Sequence, residues 1–245
     1  MIGAFGVSPP SIGDDIPLAR RSPQPTRPRT LWQRLKWLLV GSLISLGAVT
    51  LLVRGPLSGL LTPGPVPGLD AQIDADGRLL GHFPYPEASS GDLVSVASGM
   101  KLRPAAASSL LAMQNAAAAD GVDLVLLSAF RDGRLQRELF FDVMSERNQS
   151  AVERARVSAP PGFSEHSTGF AIDLGDRRAP ATHLSSSFEK TRAFQWLEAN
   201  AARYHFRLSF PRDNRQGVNY EPWHWRYEGS TEALTLFEPA QRLDR

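Results

Sequence analysis

Ser164-Glu165-His166-Ser167-Thr168-Gly169-Phe170-Ala171-Ile172-Asp173 is the stretch whose reading decides the fold. It sets an imidazole and a carboxylate seven residues apart. In one straight strand that odd spacing sends the two side chains to opposite faces. For both to serve one site, the chain must turn between them. Gly169 permits the turn, because glycine enters left-handed or bulged backbone without a Cβ penalty. After it, Ala171 and Asp173 share one face of a strand, and the small Ala171 leaves room beside the carboxylate. A second stretch, Glu221-Pro222-Trp223-His224, adds another imidazole and a carboxylate three residues before it. Continued as a strand, it puts His224 and Arg226 on one face and Trp223, Trp225 and Tyr227 on the other.

Two histidines and one aspartate form a three-ligand set with an open fourth position, as a catalytic zinc ion requires. The chain of 245 residues has no Cys, so any zinc must be held by nitrogen and oxygen. His166, Asp173 and His224 are the candidate ligands. Glu221 is then spare, and suits a general base acting on a water at the metal. Taken one at a time, each histidine also fits a plainer role: His166 a surface residue beside Glu165, His224 a packed residue between two tryptophans.

Outward from these motifs, helices and strands mix without a regular βαβ rhythm, which predicts an α+β domain. Pro104 opens a helix to about Asp120, closed by Gly121. Val122 to Ser128 reads as a buried strand. Gly133 to about Asn148 reads as a helix with Leu135, Leu139 and Val143 on one side, and Ala151 to Val157 adds a further turn or two. Ser186 with Glu189 suggests a capping box for a helix to about Tyr204. The run from His205 to Phe210 alternates, with Phe206, Leu208 and Phe210 inward and His205, Arg207 and Ser209 outward. Residues 70–99, with Asp76-Gly77 as a turn signal, read as an extension of short strands. His82, His183 and His205 read as ordinary residues away from any metal.

The N-terminal part has a different character. Residues 1–36 form a basic tail rich in Pro, Ser, Gly and Arg, read as disordered. Residues 37–53 (WLLVGSLISLGAVTLLV) are 17 uncharged residues, at the short end of the roughly 17–25 that span a bilayer. Basic residues before the run predict a single-pass anchor with the N-terminus in the cytoplasm and the following domain outside. A cleaved export signal competes with this reading, although no Ala-x-Ala site follows closely. Residues 54–69 are a Pro/Gly linker. Residues 1–69 hold seven basic and two acidic side chains, leaving 20 basic and 23 acidic in 70–245, a net of −3. The basic excess therefore lies outside the folded part, which argues against a nucleic-acid partner.

Three ordered motifs carry a family resemblance over roughly residues 100–230. They are Ser128-Ala-Phe-Arg131-Asp-Gly-Arg-Leu-Gln136, Pro161-Gly-Phe-Ser-Glu-His166-Ser-Thr-Gly-Phe-Ala-Ile-Asp173 and Tyr220-Glu221-Pro-Trp-His224-Trp-Arg-Tyr227. Together they resemble the VanY-type zinc D-alanyl-D-alanine carboxypeptidases of the LAS peptidase group. Ala129, Phe130, Asp132 and Ser167 depart from the family's usual residues, and none removes a ligand or the base. The resemblance implies a small antiparallel sheet carrying the metal, flanked by helices. It also implies Zn2+ as cofactor and peptidoglycan stem peptides as substrate.

The resemblance makes 100–240 a metallo-carboxypeptidase domain, with Arg131 as a carboxylate clamp or as an electrophile polarising the scissile carbonyl. Gln136 is expected to contact substrate or brace Arg131. Ser164 is expected to bind substrate or support the site, and Tyr227 to contact substrate, support the site or pack in the core. The leading expectation is release of the C-terminal D-alanine by attack of water, with Glu221 as base. Cleavage of an L,D-bond or a cross-link, and a non-catalytic wall-binding module, are the alternatives.

Overall fold

The computed structural model describes residues 66–243. The tail, the apolar run 37–53 and nearly all of the linker lie outside the described residues. Among the described residues, no helix is long and apolar enough to cross a membrane.

A hairpin leads in, β1 (Val94–Ala97) and β2 (Met100–Leu102), followed by α1 (Pro104–Ala119) and β3 (Leu124–Ser128). Next come α2 (Gly133–Glu146), the short α3 (Ala151–Ala155) and a 3-10 turn, Glu165–Thr168. The chain continues through β4 (Ala171–Asp176), α4 (Arg192–Asn200), β5 (Phe206–Leu208), β6 (His224–Tyr227) and α5 (Thr231–Leu243). The main sheet has the order β3-β4-β6-β5 with every neighbour antiparallel. This is the expected α+β arrangement, a small antiparallel sheet with helices around it.

Register explains how the sheet divides its labour. Residues directly opposite in antiparallel strands share a face. Ile172 faces Trp225 and Tyr227 faces Phe206, and these side chains join one buried apolar cluster with α1, α4 and α5. Asp173 faces His224 and Ala171 faces Arg226, so the opposite face of the same two strands is polar. α1 seals the apolar side through Ala106, Leu110, Met113 and Ala117, a stripe at helical spacing. Burying Leu110 and Met113 is worth about 1.5–3 kcal/mol each.

Three local expectations are corrected. The buried face of α2 is Gln136 and Phe140, not the stripe starting at Leu135, which is exposed. The Asp132 side chain accepts from Leu135 N and caps this helix, and that start turns Gln136 inward. The predicted helix from Ser186 to Tyr204 is three pieces: a 3-10 turn at Ser186–Lys190, α4, and a 3-10 turn at Ala201–Tyr204. Its cap is Thr191, whose hydroxyl accepts from Phe194 N, rather than a Ser186–Glu189 box. Ser209, read as outward, is 1% exposed, because β5 ends at Leu208 and the alternation ends with it.

The segment before β1 braces the Glu165–Thr168 turn. Tyr85 N donates to the Gly162 carbonyl and Ala88 N to the Ser167 carbonyl, at 2.9 and 2.8 Å. Past the hairpin, Arg103 donates from its backbone N to Gly169 O and from its Nε to Thr168 O, both at 3.0 Å.

Candidate metal centre

Gly169 makes the turn that the sequence requires. It closes the 3-10 turn with φ of 74°, a conformation that costs other residues about 1–2 kcal/mol. A Cβ there would stand 2.7 Å from Leu93 Cδ2. The turn is locked internally as well: the Thr168 hydroxyl donates to Glu165 O at 2.7 Å and accepts from Phe170 N at 3.0 Å. His166 is thereby folded back over β4 towards Asp173.

Three ligand atoms converge. His166 Nε2 lies 3.3 Å from one Asp173 oxygen, and His224 Nδ1 lies 3.1 Å from the other. Within this group each residue offers one atom such that all lie within 4.8 Å of one another. Bonds of about 2.0–2.1 Å in a tetrahedron place ligand atoms about 3.3 Å apart; each histidine stands at about that distance from one of the two Asp173 oxygens, and a shared ion would draw the wider set together. The remaining ring nitrogens are engaged in the way a metal site needs. His166 Nδ1 is 2.8 Å from the Ala129 carbonyl, and a carbonyl only accepts, so Nδ1 carries the proton and Nε2 keeps its lone pair. His224 Nε2 is 2.9 Å from Glu165 Oε2, which leaves Nδ1 as the ligating atom.

Charge supports the same reading. Burial works to raise the Asp173 carboxyl, yet His166 and His224 hold it well below the usual carboxylate range. Burial likewise works to lower His224, but Asp173 and Glu165 push it up to about 10. The two carboxylates beside His224 favour positive charge at this spot, and a divalent ion would supply it in place of the imidazole proton. His166 is shifted the other way, by burial and then by Arg131.

Glu221 is buried beside the cluster with its Oε2 4.0 Å from His224 Nδ1. Burial, helped by Asp173 and Glu165, raises its pKa to about 8 against the pull of His224 and Arg131. Arg131 reaches in from the loop after β3, with Nη2 3.7 Å from Asp173 and Nη1 donating to Gln136 Oε1 at 2.9 Å. Gln136 is wholly buried and donates to the Ala159 carbonyl at 2.6 Å, so it braces the arginine. Ser164 lies in the wall of the cleft. Tyr227 lies elsewhere: it is 5% exposed, on the apolar face of β6, stacked 5.9 Å from Phe170. It packs the core rather than facing a substrate.

The metal cluster, Arg131, Ser164 and Glu221 line one cleft of about 390 Å³. Three neighbours escaped the sequence reading. Glu165, given no role by the sequence, is buried. It accepts from Ser209 Oγ at 2.6 Å and from Arg226 Nη1 at 3.2 Å while facing His224. Burial tends to raise its carboxyl, but Arg226, His224 and Ser209 outweigh this and hold it at about 2. Arg226 is itself wholly buried and pairs with Glu228 at 2.7 Å. The sequence offers only the shared face of His224 and Arg226, which puts a second cationic side chain beside the ligand without naming its acid partner. The remaining histidines are not in the cluster: His82 Nε2 faces the Ala155 carbonyl at 2.7 Å and His183 Nε2 the Asp176 carbonyl at 2.9 Å.

Comparison with known proteins adds a family. A family model described as VanY, D-alanyl-D-alanine carboxypeptidase, matches residues 99–230. The putative carboxypeptidase YodJ of Bacillus subtilis is 33% identical over 138 residues, 55% of this chain and 49% of that protein. Among solved structures, the LD-carboxypeptidase LdcB superposes with a TM-score of 0.54 at 28% identity, covering 66% of this chain and 79% of that one. VanYB in complex with D-alanine-D-alanine gives 0.51 at 27% identity, covering 64% and 87%. The chain spans about half the length of the curated relatives it matches.

Proposed function

The chain belongs to the VanY family of D-alanyl-D-alanine carboxypeptidases, and from that premise we propose that it is a zinc metallo-carboxypeptidase releasing D-alanine from peptidoglycan stem peptides. The observation that carries the proposal is the convergence of His166 Nε2, Asp173 and His224 Nδ1 beside Glu221 and Arg131 in one cleft. Zinc held by these three residues would polarise the scissile carbonyl and acidify water.

The protein's own groups do the rest. Glu221 accepts the proton of the attacking water and delivers it to the departing amine. Its burial makes the charged form costly, so the carboxylate is a stronger base than an exposed one. Arg131, held by Gln136 and Ser128, offers a fixed positive charge. It either grips the C-terminal carboxylate or stabilises the oxygen that becomes negative as water adds. The apolar run 37–53 would tether the domain outside the cytoplasmic membrane, with the linker giving it reach to the wall.

The similarity to LdcB, described as an LD-carboxypeptidase, favours a second reading, cleavage of the bond before the last D-alanine of a tetrapeptide stem. Incubation of the protein with defined pentapeptide and tetrapeptide stems, followed by mass analysis of the products, separates the two. D-alanine from the pentapeptide alone supports the first reading. Release from the tetrapeptide alone supports the second, and no release from either contradicts both.

A further inference from the structure

The cleft that holds the candidate metal ligands is also walled by the corner between α2 and α3. Arg147, Gln149 and Arg154 line it. Arg154 is 8% exposed. Its Nη2 donates to the Leu139 carbonyl at 2.7 Å, which fixes the guanidinium in place. Its Nε is buried without a hydrogen-bond partner among the described residues, and so is Oε1 of the adjoining Gln149. A buried polar atom left unpaired is uncommon and calls for a reason.

No carboxylate among the described residues comes within ion-pairing distance of Arg154 or Arg147. The other buried or half-buried arginines among the described residues have such partners: Arg78 with Asp74, Arg103 with Glu232, Arg131 with Asp173, Arg226 with Glu165. Burial and then the charge of Arg147 lower the Arg154 pKa, so the two cations repel each other across this corner. A buried guanidinium with no carboxylate partner, facing a second cation on the exposed Arg147, is costly unless an anion arrives from outside. A guanidinium matches a carboxylate in shape and charge.

Resting on the carboxypeptidase reading above, we propose that the Arg147–Arg154 corner is a subsite for a free side carboxylate of the stem peptide, upstream of the bond that is cut. It would select stems in which that carboxyl is not amidated. Two carboxyls of a stem carry this chemistry: the α-carboxyl of a γ-linked glutamate and the side-chain carboxyl of a diamino acid.

The test measures kcat/KM of the full-length zinc-loaded protein on four stem peptides. One has both carboxyls free, two have one or other amidated, and one has both amidated. The expected result is a loss of about tenfold or more on amidation of one of them, the size of one charge-assisted contact. Which amide causes the loss identifies the carboxyl. Arg147→Gln, at an exposed position where folding is not at risk, should bring the acid-to-amide preference towards one and make it less dependent on salt. Arg154→Lys should do the same in part. Equal turnover of all four peptides overturns the subsite, and so does an Arg147→Gln protein that weakens acid and amide forms alike. Hydrolysis of none of the four removes the carboxypeptidase reading itself, and the subsite with it.

Discussion

Glu165 Oε2 lies 2.9 Å from His224 Nε2, so the residue immediately before one metal-ligand candidate orients another, 59 positions along the chain. The contact fixes which nitrogen of His224 faces Asp173. Second-sphere carboxylates of this kind typically govern about 10–100-fold in metal affinity. Glu165→Gln should therefore weaken zinc binding by about that factor, measured by competition with a chelator of known affinity. Glu165→Ala should do more, since it also takes away one of the two carboxylates that neutralise the buried Arg226 and leaves Glu228 alone to pair with it. Unchanged zinc affinity in both variants would show that His224 is positioned by packing alone.

The same residue predicts acid lability. Its folded pKa is held at about 2, below the ordinary 4.5, so the unfolded chain binds its proton first as pH falls. The stability it contributes is fully present above about 4.5 and lost as pH drops through about 2. The melting temperature should fall across that window, and Glu165→Gln should flatten the decline. A parallel curve in the variant would count against the assignment.

Glu221 carries the opposite sign. Its pKa is raised to about 8, chiefly by burial, so in metal-free protein the unfolded chain ionises first as pH rises. The fold loses stability from pH 4.5 up to about 8 on this account. Glu221→Gln should accordingly raise the melting temperature of chelated protein, little at pH 4 and most at pH 8. A variant that is less stable at pH 8 would contradict the burial argument.

Tyr227 separates core from cleft. On the apolar face of β6, its ring packs against Phe170 and Phe206. Tyr227→Ala should cost about 3–5 kcal/mol in denaturant unfolding. Tyr227→Phe should keep kcat/KM within about twofold, a change of under about 0.5 kcal/mol. A selective rise in KM for Tyr227→Phe would move this residue back to the substrate.

Gly169 tests the turn. With φ of 74° and Leu93 Cδ2 2.7 Å from where a Cβ would sit, Gly169→Ala adds about 1–2 kcal/mol of backbone strain and a clash. The variant should lose both stability and zinc affinity, because His166 rides on the same turn. Loss of stability with zinc affinity intact would mean that the turn does not set the ligand.

What the sequence made legible was local. The seven-residue spacing with Gly169 between implied a turn, and alternation in β6 implied which face His224 takes. Both follow from backbone geometry within a few bonds. Glu165 was illegible because its partners Ser209, His224 and Arg226 lie 44, 59 and 61 residues away, and no local pattern distinguishes a buried glutamate from a solvated one. The buried face of α2 was misread for a related reason. A capping aspartate and one polar residue, Gln136, set its rotation, whereas a periodicity count follows only the leucines. The segment before β1 showed short strands but not its use, since its hydrogen bonds to the Glu165–Thr168 turn are made by backbone atoms that any sequence carries.

The most direct measurement of the central claim is zinc stoichiometry alongside turnover in Glu221→Gln. Wild-type protein and Glu221→Gln should each bind one zinc ion per chain, while His166→Ala, Asp173→Ala and His224→Ala bind far less. Turnover of a pentapeptide stem by Glu221→Gln should fall by about 10²–10⁴-fold, as expected for loss of a general base. Zinc that stays bound in all three ligand variants, or full activity in Glu221→Gln, would contradict the site described.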